Sequence, residues 1–262
     1  MTAGPRWTAA ALLVLTGAAA EAQVRPFVFT VTTAPTQGSE RWTVQYQAGY
    51  SERAAPAFAN DGLEQRVGVQ GDLGAGFTLL GSFGVASLDA QAATSTTQDA
   101  EVLKDLFGPE RSFRVAAGAG LRREWEGTTT LLGRISLGRT FEASSLFANL
   151  RFERPFETGR DTLDLITTAG WLHHIGGGVH LGVEAIGEDL EGFWDAEEAE
   201  GGAKLMVGPS LHIAPVGRRF YASVCGGPIL YATHSDRTSG APRPLEASGN
   251  GYTVRVSVGY AF

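Results

Sequence analysis

The chain has 262 residues and a formal net charge of −7, a balance that argues against nucleic acid as a partner. Its one cysteine, Cys225, excludes an intramolecular disulfide framework. Thirty-five glycines against 11 prolines, with glycines set inside alternating runs such as 115–121, suit a curved sheet better than a collagen or a linker.

At the N-terminus, Arg6 precedes a short apolar run over 8–20 that includes Leu12, Leu13, Val14 and Leu15. Ala20-Glu21-Ala22 then places small residues at the two positions a signal peptidase reads. We expect residues 1–22 to be a signal peptide, cleaved before Gln23. The run falls short of the roughly 20 residues a spanning helix needs, and no second candidate follows. Pro26, Pro35 and the β-branched run 28–33 make residues 23–40 an extended segment ahead of the main domain, which occupies 41–262.

From there the chain repeats one pattern. Period-2 runs are read at 41–52, 63–73, 76–87, 113–125, 128–140, 145–155, 162–172, 177–188, 203–213, 218–231 and 251–262. In one of them Leu146, Ala148, Leu150 and Phe152 oppose Phe147, Asn149, Arg151 and Glu153. Runs of this length match spanning strands of about 9–11 residues. A 3.6-residue period competes only in a short candidate helix over 99–107. The class is all-β.

Eleven runs conflict with a barrel whose two ends lie on the same side of a membrane, which needs an even count. Working back from the C-terminus, 232–250 is a long outer loop, 214–217 an inner turn, 188–202 an outer loop and 173–177 an inner turn. Working forward, 53–62 is an outer loop and 74–76 an inner turn. The two phases meet only if one more strand crosses within 88–112, and 91–100 is the stretch that supplies it. The expectation is a closed antiparallel transmembrane β-barrel of twelve strands.

The final run carries a further signal. Tyr252, Val254, Val256, Val258, Tyr260 and Phe262 share one face, and Thr253, Arg255, Ser257, Gly259 and Ala261 share the other. This terminal strand resembles the closing strand of bacterial outer-membrane β-barrel proteins. The resemblance implies location in the bacterial outer membrane, contact with lipid and lipopolysaccharide, and an assembly signal at Tyr260 and Phe262 read by the barrel-assembly machinery.

With the apolar face outward, the lumen-lining candidates are Arg66, Arg114, Arg122, Glu124, Arg134, Arg151, Glu153, Asp164, Glu184, Lys204, His212 and Arg255. At mid-depth in lipid, Arg or Lys costs about 2–4 kcal/mol, which drives such residues inward. Two roles are open to them: a salt-bridged filling that keeps a small barrel rigid, or a constriction that selects small solutes by charge. Seven basic residues against Glu124, Glu153, Asp164 and Glu184 hint at anion preference.

Other chemistry is thinly represented. Glu188, Asp189, Glu191, Asp195, Glu197, Glu198 and Glu200 form an acidic stretch without EF-hand spacing, read as a solvated loop that Phe193 and Trp194 anchor at the interface. Ser210 and His212 share a strand face, with Glu184 able to approach from a neighbour, as a serine hydrolase would require. The pair would point into the lumen rather than at lipid, so no enzyme and no catalytic residue is expected. His173 and His174 fall in an inner turn and read as solvated. No zinc motif, phosphate loop or cofactor signature is present, and no metal site is expected.

Leu146-Phe147-Ala148-Asn149-Leu150, Gly182-Val183-Glu184 and Val207-Gly208-Pro209 resemble landmarks of outer-membrane transporters associated with the meta-pathway of phenol degradation. That resemblance implies a small passive channel for hydrophobic or aromatic solutes. The functional expectation is a passive channel or transporter for small solutes, and the alternative is a structural or surface-binding barrel with a closed lumen.

Overall fold

In the computed structural model the described residues are 42–52, 62–88, 93–107, 113–124, 129–156, 163–188, 190, 203–215, 219–231 and 250–262. The proposed signal peptide, the 23–40 segment and the acidic stretch beyond Glu188 lie outside them. Twelve strands follow one another in chain order. The first six are β1 (Trp42–Glu52), β2 (Gly62–Gly74), β3 (Phe77–Leu88), β4 (Ala93–Asp105), β5 (Phe113–Glu124) and β6 (Thr129–Thr140). The second six are β7 (Ser144–Pro155), β8 (Asp164–Gly176), β9 (Val179–Glu188), β10 (Lys204–Ile213), β11 (Phe220–Tyr231) and β12 (Gly251–Ala261).

Each strand pairs antiparallel with its neighbours in sequence, and β1 pairs with β12, so the sheet closes into a barrel without an edge. Closure removes every unpaired backbone row that would otherwise face hydrocarbon. The seam runs from Thr43 opposite Ala261 to Glu52 opposite Tyr252. At its lower end Trp42 and Phe262 exchange two backbone hydrogen bonds, of 3.1 and 2.8 Å. Short connections such as 75–76 and 177–178 mark this inner end, and the longer 189–203 and 232–250 leave from the other.

The two faces of the wall differ as period 2 requires. Leu63, Val67, Val69, Leu181, Val183, Val254 and Val256 point outward and are exposed, whereas their strand neighbours Glu64, Arg66, Glu184 and Arg255 are buried inward. Tyr50 and Tyr252, with ring centroids 6.3 Å apart, ring the outer end. At the inner end Lys104 lies over the Phe77 ring and Arg139 over Phe141, an apolar body with a polar tip at each interface. The lumen is narrow enough that rings fold onto bare backbone: the Phe147 ring covers Gly170, and a Cβ there would lie 2.2 Å from it.

Three sequence expectations change. The crossing strand within 88–112 exists, but as β4 over Ala93–Asp105 rather than 91–100. The candidate helix at 99–107 is this same strand through Asp105, because Leu103 turns into the lumen and is buried while Val102 faces out. His173 and His174 end β8 instead of forming a turn. The turn itself is Gly177–Gly178, both at positive φ, a conformation that glycine adopts without steric cost.

Candidate functional site

The interior is organised around β4. Its inward positions are Thr97, Asp99, Glu101 and Leu103, and the register sets Asp99 beside Arg122 on β5 and Ser82 on β3. Asp99 takes Arg122 Nε at 3.0 Å and Arg66 Nη1 at 3.2 Å, with Arg151 Nη2 at 3.6 Å. Glu101 lies across Gly120, whose missing Cβ leaves room for the glutamate stem, and reaches over β5 to β6. There its carboxylate accepts two hydrogen bonds from Arg134, of 2.7 and 2.8 Å, and Arg151 Nη2 stands 3.2 Å away. Arg122 in turn donates to both oxygens of Glu153 on β7, at 2.8 and 3.0 Å.

Four arginines and four carboxylates from β2, β4, β5, β6 and β7, with Glu64 joined through Arg66 Nη2 at 3.8 Å, thus form one network, every member of it at most 8 % exposed. Desolvating so many charges is repaid only by paired, fork-like geometry of this kind. Beneath the network lies a cavity of about 80 Å³, which has space on the order of five waters. Its lining includes Gln45, Gln47, Arg66, Ser82, Asp99 and Arg134. Gln47 Oε1, Arg66 Nε and Arg134 Nη1 are buried there without a hydrogen-bond partner, and polar atoms of that kind bind water or solute.

The remaining candidates divide between the two ends. Lys204 pairs with Glu188 at 3.2 Å near the outer end, and Asp164 is buried at the start of β8. Arg114 is bonded to Asp105 toward the inner end. His212 Nε2 lies 2.8 Å from Glu184 Oε1. Arg255, buried on β12, feels the charges of Glu184 and Glu64. Glu124 closes β5 opposite Thr97, and its side chain lies outside the described residues. Tyr260 and Phe262 are exposed on the outer face. Ser210 is buried on the lumen side, but its hydroxyl has no hydrogen-bond partner, so the Ser–His contact that nucleophilic catalysis requires is missing.

Five acidic residues belong to the lumen that the sequence reading did not place there: Glu64, Asp99, Glu101, Asp105 and Glu188. They overturn the basic excess. Among the described residues buried or half-buried on the lumen face, Arg66, Arg114, Arg122, Arg134, Arg151, Lys204 and Arg255 face Glu64, Asp99, Glu101, Asp105, Glu153, Asp164, Glu184 and Glu188, seven cations against eight acids. The hint of anion preference from charge counting is withdrawn. Glu64 was legible, two positions from Arg66 on the same strand face.

An apolar exterior, a charged interior and a closed twelve-stranded wall define a transmembrane β-barrel of the bacterial outer membrane. Among solved structures, the chain is similar to the KdgM porin in complex with disordered oligogalacturonate, at 13% identity and a TM-score of 0.56, over 84% of this chain and 99% of that one. A second structure of the KdgM porin agrees, at 12% identity, a TM-score of 0.56 and the same coverage. A bacterial polysaccharide outer membrane secretin matches at 7% identity and a TM-score of 0.47, over 86% of this chain and 100% of that one. At these identities the likeness to the two KdgM structures is one of fold alone. No protein-family model and no curated protein sequence matches the chain, so the narrower resemblance to meta-pathway transporters gains nothing from those comparisons.

Proposed function

We propose that this barrel is a passive outer-membrane channel for small polar solutes, narrowed at mid-height by the arginine–carboxylate network. The observation that carries the reading is the cavity of about 80 Å³ into which Arg66, Asp99, Glu101, Arg134 and Arg151 project polar atoms. A lumen lined by charge, hydroxyl and amide groups replaces the hydration shell of a polar solute, and an apolar filling would not. The fold shared with the KdgM porin supports the same reading. That porin's bound chain, an oligogalacturonate, is acidic; here the described lumen charges stand at seven cations against eight acids, which suits neutral or zwitterionic solutes better than polyanions. The near-complete burial of Arg122, Arg151 and Glu153, each 2% exposed, favours a second reading, a sealed structural barrel.

Planar-bilayer recording separates the two. The channel reading expects discrete steps from the wild-type protein and larger steps when the bulk of one pair is removed in the Glu101→Ser/Arg134→Ser variant. Silence from both proteins, together with no solute-driven swelling of proteoliposomes, assigns the sealed barrel.

A further inference from the structure

The outward face of the wall carries its cations at two heights. From β4 to β8 the outward positions among the described residues include Lys104, Arg123, Arg139 and Arg154, and no Asp or Glu. At the inner end Lys104 lies over the Phe77 ring and Arg139 over Phe141. At the outer end Arg123 and Arg154 are exposed, while their strand neighbours Arg122 and Glu153 are buried in the lumen. Among the described residues neither Arg123 nor Arg154 has an ion-pair or hydrogen-bond partner. A guanidinium keeps its charge at any working pH, and at the edge of the hydrocarbon the anions within its reach are lipid phosphates. We propose that Arg123 and Arg154 bind the phosphorylated sugar headgroup of an outer-leaflet glycolipid, of the class of the diphosphorylated glucosamine disaccharide that anchors lipopolysaccharide.

The register points to one headgroup held by both residues. Arg123 on β5 stands opposite Thr129 on β6, and Leu131, two residues along β6, stands opposite Arg154 on β7. Strands lie about 4.7–4.9 Å apart and rise about 3.4 Å per residue, so two strands and two residues put the arginine Cα atoms roughly 12 Å apart. That span suits a headgroup with a phosphate at each end, one for each guanidinium. The planar fork of N–H donors matches phosphate oxygens, and such charge-assisted bonds are roughly twice as strong as neutral ones. Both arginines lie at the end from which the long connections leave, which is the outer leaflet's side.

The surroundings fit the rest of the lipid. Toward mid-membrane, Leu121 stands opposite Leu131, and both are exposed. One step further in, a Cβ added to Gly133 would stand 3.7 Å from the Phe152 side chain, so the ring flanks the glycine without filling its place. The dip beside that ring is an apolar bed for an acyl chain below the arginines. Gln98 on β4, exposed and opposite Arg123 only through its neighbour Thr97–Glu124 register, shares this end of the wall and offers an amide to sugar hydroxyls. The assignment concerns the outer wall alone and stands whether or not the lumen conducts.

Native mass spectrometry of the purified barrel folded in detergent and titrated with diphosphoryl lipid A tests it. One retained lipid per barrel is expected, with no comparable retention of dephosphorylated lipid A and no displacement by an equal amount of phosphatidylglycerol. Arg123→Gln/Arg154→Gln should weaken retention by at least about tenfold, as the loss of two charges facing anionic lipid implies. Arg139→Gln removes an outward arginine from the inner end and should leave retention unchanged. Heat-modifiable gel migration confirms that each variant is folded. Absence of retention by the wild-type barrel, retention that survives the double variant or retention that Arg139→Gln weakens equally would each overturn the assignment. So would equal retention of dephosphorylated lipid A, or displacement by phosphatidylglycerol, which marks a general phospholipid site.

Discussion

Arg122 and Glu153 meet across β6 through two hydrogen bonds, of 2.8 and 3.0 Å, with both side chains sealed from solvent. The bond joins strands that are not neighbours, so it acts as a chord inside the barrel rather than as a rung of the sheet. Neither charge can recover its hydration if the other is lost.

Glu153→Ala leaves Arg122 with Asp99 as its remaining carboxylate and should accordingly cost about 3 kcal/mol, the low end of the penalty for breaking a buried pair. Arg122→Leu/Glu153→Leu removes both charges and should cost markedly less. Urea titration of the folded barrel in detergent measures the two. Equal losses in the single and double variants would show that the chord contributes nothing as a pair.

Asp99 is the hub, within 3.6 Å of Arg66, Arg122 and Arg151. Asp99→Asn leaves three guanidinium groups with one fewer counter-charge beside the cavity. In the channel reading this shifts ion preference toward anions, and Arg255→Glu shifts it the other way. Reversal potentials across a KCl gradient report both. Identical potentials in wild type and the two variants would remove these residues from the ion path.

Gly170 has no room for a side chain, because the Phe147 ring occupies the place of its Cβ. Gly170→Val should destabilise the barrel by about 1–3 kcal/mol through overpacking. Adding Phe147→Ala to that variant should restore part of the loss. If the second substitution instead adds its full cost, the contact is not the cause.

Phe262 contributes an exposed outward ring and two backbone hydrogen bonds to Trp42 at the seam. Phe262→Asp places a charge where the wall meets lipid and should reduce assembly without touching the lumen. The measurement is heat-modifiable protein in the outer-membrane fraction. Normal levels would show that the terminal ring is dispensable.

The wall was readable wherever its two faces differ in polarity. Tyr252 to Phe262 alternate so cleanly that strand, face and phase follow from the residues alone, and the phase conflict then demanded a twelfth strand. That strand was hard to see for a physical reason. On β4 the outward positions Thr96, Gln98 and Lys104 are nearly as polar as the inward Thr97, Asp99 and Glu101, so the alternation cancels. Val102, Leu103, Leu106 and Phe107 then imitate a helical stripe. The cost fell on the site, since Asp99 and Glu101 hold most of the network together. Glu188 was hidden differently: it ends a strand but begins an acidic run, and only its 3.2 Å pairing with Lys204 separates the two.

The β1–β12 seam has a kinetic consequence. Thr43 and Ala261 are more distant in sequence than any other strand pairing in the wall, so the seam carries the largest loop-closure cost and its bonds form only after the chain between them is threaded. Until they form, the growing sheet has two raw edges, each a row of unpaired amide and carbonyl groups intolerable in hydrocarbon. A half-built barrel is therefore not a half-stable one. Closure of the wall and its stability in lipid are thus coupled, and the ladder that meets at Trp42 and Phe262 is the part of the wall that removes the last edge.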